Sequence, residues 1–266
     1  GNNSSSSSTS TEAGTAKTKY ASEVTHEGTP IKGGTLKYAI VSSSPFSGIF
    51  ADELSQVTTD STIGGLIDES MFEYDENRKL TNTGLASIEF DVENKTATVT
   101  LNSKEYKWSD GQPVTIDDYI FAYQAIGNKD YTGVRYDGDF KNVVGMEEYH
   151  NGKADSVSGL EKVDDYTVKI HFKEMSPSMQ LAGGSVSAYI MPKHIFKDIP
   201  EAEWEQSDYV RGKKFVGLGQ FKIDSIVAGE SVTLVPNEHY YKGVAKVDKV
   251  VMEVVSPDNI VSEMKA

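Results

Sequence analysis

The chain has 266 residues, 26 Lys and Arg against 40 Asp and Glu, a formal net charge of −14, and no cysteine. This charge balance argues against a phosphate-tracking nucleic-acid surface and against a basic face for anionic membranes, since both need clustered Lys and Arg. The lack of cysteine excludes disulfides, thiol catalysis and zinc–thiolate sites. A hydrophobic content of 38% and an aromatic content of 10% are those of a globular chain, and no stretch of 18 apolar residues occurs.

Residues 1–30 read as a flexible Ser/Thr-rich tether, because Gly1–Ala16 holds no large apolar residue to anchor it. Order is expected to begin near Ile31–Thr35. Thr35–Val41 is a β-rich run broken by Ser42-Ser43-Ser44-Pro45. Ile63, Leu66, Ile67, Met71 and Phe72 are spaced as one helical face within Thr62–Tyr74. Ser87–Asp91 and Thr96–Leu101 flank Glu93-Asn94-Lys95 as a hairpin.

The run Lys107–Tyr123 combines three local signals. Trp108 is a residue to bury, Asp110-Gly111 reverses the chain, and Thr115 with Asp118 three positions on is a capping-box variant that opens a helix to about Gly127. Ile116, Tyr119, Ile120 and Tyr123 share one face of it. Asn128–Gly159 is polar and weakly periodic, and is expected to form loops with one short helix near Met146. Two more hairpins follow, Leu160–Val163 with Thr167–Phe172, and Gln220–Ile226 with Ser231–Pro236 turning at Ala228-Gly229-Glu230. Lys246–Val255 is a further strand, and Pro257 sits near the first position of a last helix. Helices and strands mix without a strict βαβ repeat, so the fold class is mixed α/β (α+β), with a mixed sheet, hairpins and flanking helices.

Catalytic readings are weak. Gly217-Leu218-Gly219 lacks a third glycine and leads into a strand, unlike a dinucleotide loop. Gly183–Ser187 misses the last glycine of a nucleophile elbow. The five histidines are scattered, and adjacent Asp117 and Asp118 point to different helix faces. Asn128–Asp139 echoes a calcium loop but lacks Asp at its first position and Glu at its last. No metal site, no cofactor and no enzymatic activity are expected.

Four blocks together resemble one family. Gly33–Ala39, Lys107–Tyr123, Ile190–Phe196 (IMPKHIF) and Phe215–Ile223 continuing to Tyr241 are similar, in that order, to segments of the extracytoplasmic solute-binding proteins of the oligopeptide/dipeptide ABC-transporter family, family 5. Asp248–Val255 resembles the strand that follows in that family. One departure is Gln220, where the family usually has Pro.

The resemblance implies a class II periplasmic-binding-protein-like lobe over residues 31–266, the first lobe of a longer two-lobed protein, with the second lobe missing. It implies an oligopeptide ligand held extended between the lobes, delivery to the permease subunits of an ABC importer, and a monomer. The Ser-rich leader opening at Gly1-Asn2-Asn3 resembles the residues after the lipid-modified Cys of a Gram-positive lipoprotein. By this resemblance the protein is expected at the extracellular face of the membrane, held by a lipid anchor.

Ser42, Ser43, Ser44, Pro45 and Phe46, where the first strand runs out, and Gly184 with Ser185, where backbone could approach a ligand closely, are the ligand-binding candidates. Trp108, His194, Tyr119 and Tyr123 read as packing instead. The acidic group that holds a peptide's amino terminus belongs to the other lobe by this resemblance, so the chain alone is expected to bind peptide poorly. The alternatives are a same-fold binder of a pheromone peptide, a sugar or a nickel chelate, and a surface adhesion module.

Overall fold

A computed structural model describes residues 24–27, 34–179 and 185–258. The chain divides into two compact units. One comprises residues 1–69, 107–111 and 205–266, and the other residues 70–106 and 112–204. Sequence periodicity reports local elements, whereas this division follows strand pairing between distant segments.

The first unit is built on a five-stranded mixed sheet in the order β1 (Val24–Glu27), β2 (Thr35–Val41), β9 (Lys249–Val255), β8 (Ser231–Pro236) and β7 (Phe221–Val227). β2 runs parallel to β9, pairing Thr35 with Lys249 and Val41 with Val255. β7 and β8 form the expected hairpin, which turns through Gly229 at φ +74° and carries a register shift between Ile223 and Ser225. Period-2 alternation points Leu36, Ile40, Ile223, Val232, Leu234, Val250 and Met252 into the core. Helix α1 (Thr58–Ile67) buries Ile63, Leu66 and Ile67 and packs against β7. Burial of such side chains contributes about 1.5–3 kcal/mol each.

Two features of this unit differ from expectation. β1 (Val24–Glu27) lies inside the expected tether and pairs antiparallel with β2, from Val24 opposite Ile40 to Glu27 opposite Lys37. A strand of this length is held by the neighbouring backbone and needs no apolar anchor of its own. Helix α1 stops at Ile67, short of Met71 and Phe72. Asp68 is extended (φ −140°, ψ 175°) while its N–H closes the last turn on Gly64 O at 2.9 Å. Met71 and Phe72 are still buried, so their apparent helical spacing came from burial on a non-helical segment.

The second unit holds a four-stranded antiparallel sheet made of the two expected hairpins, in the order β3 (Ala86–Asp91), β4 (Thr96–Leu101), β6 (Thr167–His171) and β5 (Leu160–Asp164). The hairpins are β3 with β4, and β5 with β6. Helix α2 (Ile116–Gly127) has the expected cap: Thr115 Oγ1 accepts from Asp117 N at 3.3 Å, and Asp118 Oδ2 accepts from Thr115 N at 3.0 Å. Asp118 Oδ1 also accepts from Lys193 N at 3.0 Å, tying the IMPKHIF block to the helix start. Asp117, one position away, instead pairs with Lys162 at 3.0 Å on the surface.

The buried face of α2 carries an aromatic cluster. Tyr119 meets Phe72 and Tyr123 edge-on at 6.5 and 5.6 Å, and Tyr123 meets Phe140 at 5.3 Å. Ser187 satisfies both hydroxyls: Tyr119 donates to its carbonyl at 2.6 Å, and its N–H donates to Tyr123 Oη at 3.3 Å. Burial pushes both phenols above their ordinary range. Between α2 and β5 there are two short helices where one was expected, α3 (Gly138–Lys141) and α4 (Met146–His150). Asp137 starts α3 by accepting from the N–H groups of Asp139 and Phe140.

Candidate functional site

The candidate ligand segment leaves β2 in the first unit. Ser42 N donates to Val255 O at 2.9 Å, extending the β2–β9 ladder by one rung. Ser42 Oγ then accepts from Ser44 N at 3.2 Å and donates to Ser44 O at 2.9 Å, a closed local turn. This leaves Ser43, Ser44 and Pro45 exposed and Ser42 half-buried. Phe46 differs from expectation. Its ring is buried beside Phe50, at 5.8 Å between centroids, and its N–H is taken by Gly229 O at 3.3 Å. An apolar ring that can reach the core of its own unit goes there, whereas the side chains of Ser42–Pro45 stay exposed or half-buried. Gly229 makes this approach possible, because a Cβ on it would lie 3.2 Å from Pro45 Cβ.

Beyond Phe46 the segment turns on a buried carboxylate that sequence reading did not single out. Asp60, on the first turn of α1 and fully shielded from solvent, accepts from Ser47 N at 2.8 Å, Gly48 N at 2.9 Å and Ile49 N at 3.3 Å. The Ser47 hydroxyl donates to its second oxygen. Gly48 supplies the φ of +94° that lets successive N–H groups converge. An acid at a helix start reads as a dipole partner, and nothing in the spacing of Ser47 and Asp60 marks this link.

The glycines of the Phe215–Ile223 block also gain a physical reason. A Cβ on Gly217 would fall 2.1 Å from Ile67 O, and one on Gly219 would fall 2.5 Å from Asp68 N, so both mark a close crossing over the end of α1. Gly219 N donates to Ile67 O at 3.2 Å and Leu218 N to Asp68 Oδ1 at 3.2 Å. Burial pushes the Asp68 carboxyl up to about 8, against the opposing pull of N–H bonds from Glu69 and Leu218. Buried Asn237 completes the block, donating to Gly219 O at 2.9 Å. Trp108 is fully buried in this unit, with Gly111 (φ +88°) closing the turn after it through a 2.8 Å bond to Trp108 O.

In the second unit, Ser185 lines a cavity of about 500 Å³ together with Asp139, Asn142, Glu174, Met175 and Met179. Asn142 clamps Glu174 through both backbone groups, at 2.7 and 3.0 Å. Gly184 lies outside the described residues. Ser42–Pro45 and Ser185 therefore belong to different units.

The loop that echoes a calcium site uses its polar side chains locally. Asn128 bonds Asp130 N and Tyr149 Oη, and Asp137 caps α3. Among the described residues no three or more His, Asp or Glu converge as metal ligands. Glu201 of this unit is strongly perturbed. Burial, with Asp130 nearby, pushes Glu201 up to about 8, and its Oε2 is shielded from solvent without a hydrogen-bond partner.

Residues 82–266 match the family model of bacterial extracellular solute-binding proteins, family 5 Middle. The oligopeptide-binding protein OppA of Lactococcus lactis subsp. lactis is 36% identical over 231 residues, which are 85% of this chain and 38% of that protein. A solved structure of lactococcal OppA, complexed with an endogenous peptide in the closed conformation, matches with a TM-score of 0.81 at 35% identity. The match covers 88% of this chain and 44% of that one. The AppA structure from Bacillus subtilis, in complex with a nonapeptide, matches at 0.68 and 26% identity, over 89% of this chain and 42% of that one. The chain thus spans less than half the length of the relatives it matches. No helix of the described residues is long and apolar enough to cross a membrane. The family match and the similarity to lactococcal OppA agree with the resemblance of the four motif blocks: this chain belongs to the bacterial extracellular solute-binding proteins, family 5.

Proposed function

We propose that this chain is part of a non-catalytic oligopeptide-binding protein that captures extracellular peptides for an ABC importer. The observation that carries the reading is the 36% identity to a protein named for oligopeptide binding, joined to a TM-score of 0.81 against a peptide-bound structure of lactococcal OppA. In this reading the Ser42–Pro45 segment faces the ligand, and backbone groups beyond the end of β2 supply side-chain-independent hydrogen bonds to an extended peptide. Ser185 and Gly184 remain separate candidate ligand contacts. The protein is a monomer held at the extracellular face of the membrane by a lipid anchor, and its partners are the permease subunits.

A chain that covers 38% of a whole relative supplies only part of such a site, so its own peptide affinity is expected to be weaker than micromolar. Calorimetry with a synthetic nonapeptide tests this, and a sub-micromolar constant contradicts it. A pull-down tests the partner: recovery of ABC permease subunits supports the reading, and recovery of host-surface proteins instead replaces it with an adhesion role. Thermal-shift screening against peptides, sugars and nickel chelates checks the ligand class, since only a ligand that prefers the folded state raises the transition.

A further inference from the structure

We infer that Asp60 is the positioning residue of the ligand-facing segment: it holds Ser42–Phe50 in its bound shape before any ligand arrives. The inference rests on the proposed peptide reading and deepens it. Three successive N–H groups, of Ser47, Gly48 and Ile49, and the Ser47 hydroxyl all end on one fully buried carboxylate. Inside a low-dielectric core such hydrogen bonds are stronger than they are in water, and several on one side chain fix the turn around it.

The opposite side of the same peptide unit is held as well, because Arg211 Nη1 donates to Ser47 O at 3.4 Å while its Nε donates to Glu205 O. Upstream, the segment is pinned at Ser42 by Val255 and at Phe46 by Gly229. The exposed Ser43–Pro45 stretch is thus a short bridge between fixed points. Asp60 itself does not reach that stretch: its partners are residues 47–49, and any effect on ligand passes through the backbone.

The physical consequence is a population effect. When only a fraction of molecules holds the competent shape, the apparent dissociation constant rises by the inverse of that fraction. Asp60→Asn keeps one oxygen to accept from Ser47 N and Gly48 N but turns the other into a donating amide, which faces Ile49 N and the Ser47 hydroxyl without accepting from them and lets the segment sample other turns. Affinity should then fall although no ligand contact was deleted.

The test compares the wild-type chain with D60N, S47A and I63V. Each is titrated to millimolar synthetic nonapeptide by NMR, and amide hydrogen exchange is measured without ligand. D60N should speed exchange at residues 47–49 and weaken peptide binding at least about tenfold. S47A, which removes only the hydroxyl partner, should weaken it a few-fold in the same direction, roughly the effect of one hydrogen bond. I63V, a packing change on the same helix, should lower stability and leave affinity within about twofold.

Wild-type affinity in a folded D60N overturns the inference, and so does unchanged exchange at 47–49. If D60N does not fold, S47A decides: faster exchange with weaker binding supports positioning, and wild-type values overturn it. Equal affinity loss in I63V also overturns it, because general destabilisation would then suffice. A wild-type chain with no peptide response at millimolar concentration refutes the peptide reading itself, a result distinct from any of these.

Discussion

Glu201 offers a stability measurement whose sign follows from its surroundings. Its carboxyl is raised from 4.5 to about 8, by burial first and by Asp130 second, and one oxygen is shielded without a hydrogen-bond partner. A raised folded-state pKa means that the folded chain keeps a proton which the unfolded chain releases. Stability is therefore highest below the unfolded value, falls as pH rises from about 4.5 to about 8, and is level above that. At ~1.36 kcal/mol per unit the full shift would be about 5 kcal/mol. Glu201 keeps some contact with solvent, and screening reduces this to ~2 kcal/mol. Glu201→Gln keeps the volume and mimics the protonated form. Urea unfolding followed by tryptophan fluorescence reports on the neighbourhood, since Trp204 is buried against Phe121 and Phe196 three positions away. E201Q should match the wild type at pH 5 and exceed it by about 2 kcal/mol at pH 9. The other raised acids among the described residues, Asp68 and Asp139, tilt both proteins alike, so their difference isolates Glu201. A difference that does not change with pH, or a wild type more stable at pH 9, refutes the assignment.

Three further changes have defined outcomes. Gly219→Ala should lower the stability of the first unit by about 2–4 kcal/mol in denaturant unfolding, because the new methyl meets backbone on Ile67 and Asp68 and cannot be relieved by a rotamer change. Asp118→Ala strips acceptors from the N–H groups of Thr115 and Lys193 and should cost ~2–4 kcal/mol, more than the ~1 kcal/mol expected of Thr115→Ala, by the same assay. Trp108→Ala should cost roughly 3–5 kcal/mol while leaving any measurable peptide contact intact, since the ring is wholly buried.

Much of the local structure was legible because its signals are local. The capping box of Thr115 and Asp118, the hairpin turns at Glu93-Asn94-Lys95 and Gly229, and the burial of Trp108 all depend on neighbours within a few positions. Tertiary arrangement was not legible in the same way. β2 finds its parallel partner β9 at the far end of the described chain, and that pairing helps to place the opening and closing segments in one unit. The end of α1 was misjudged because Met71 and Phe72 keep a helical spacing on a segment that the extended Asp68 has already turned out of the helix.

The candidate site divides along the same line. Ser42–Pro45 could be placed at the end of a strand from composition alone. The inward turn of the Phe46 ring needed Phe50 and Gly229 beside it. Asp60 was invisible, since its partners lie 11 to 13 positions away with no periodic relation.

The central claim is that the exposed turn after β2 faces an oligopeptide. Amide chemical-shift mapping of the isotope-labelled chain during nonapeptide titration tests it most directly. Shifts should concentrate on residues 42–49 and grow together with one binding curve, and the Trp108 indole and the α2 aromatic cluster should stay unmoved. Shifts confined to the cavity beside Ser185, or spread evenly over both units, would contradict the claim.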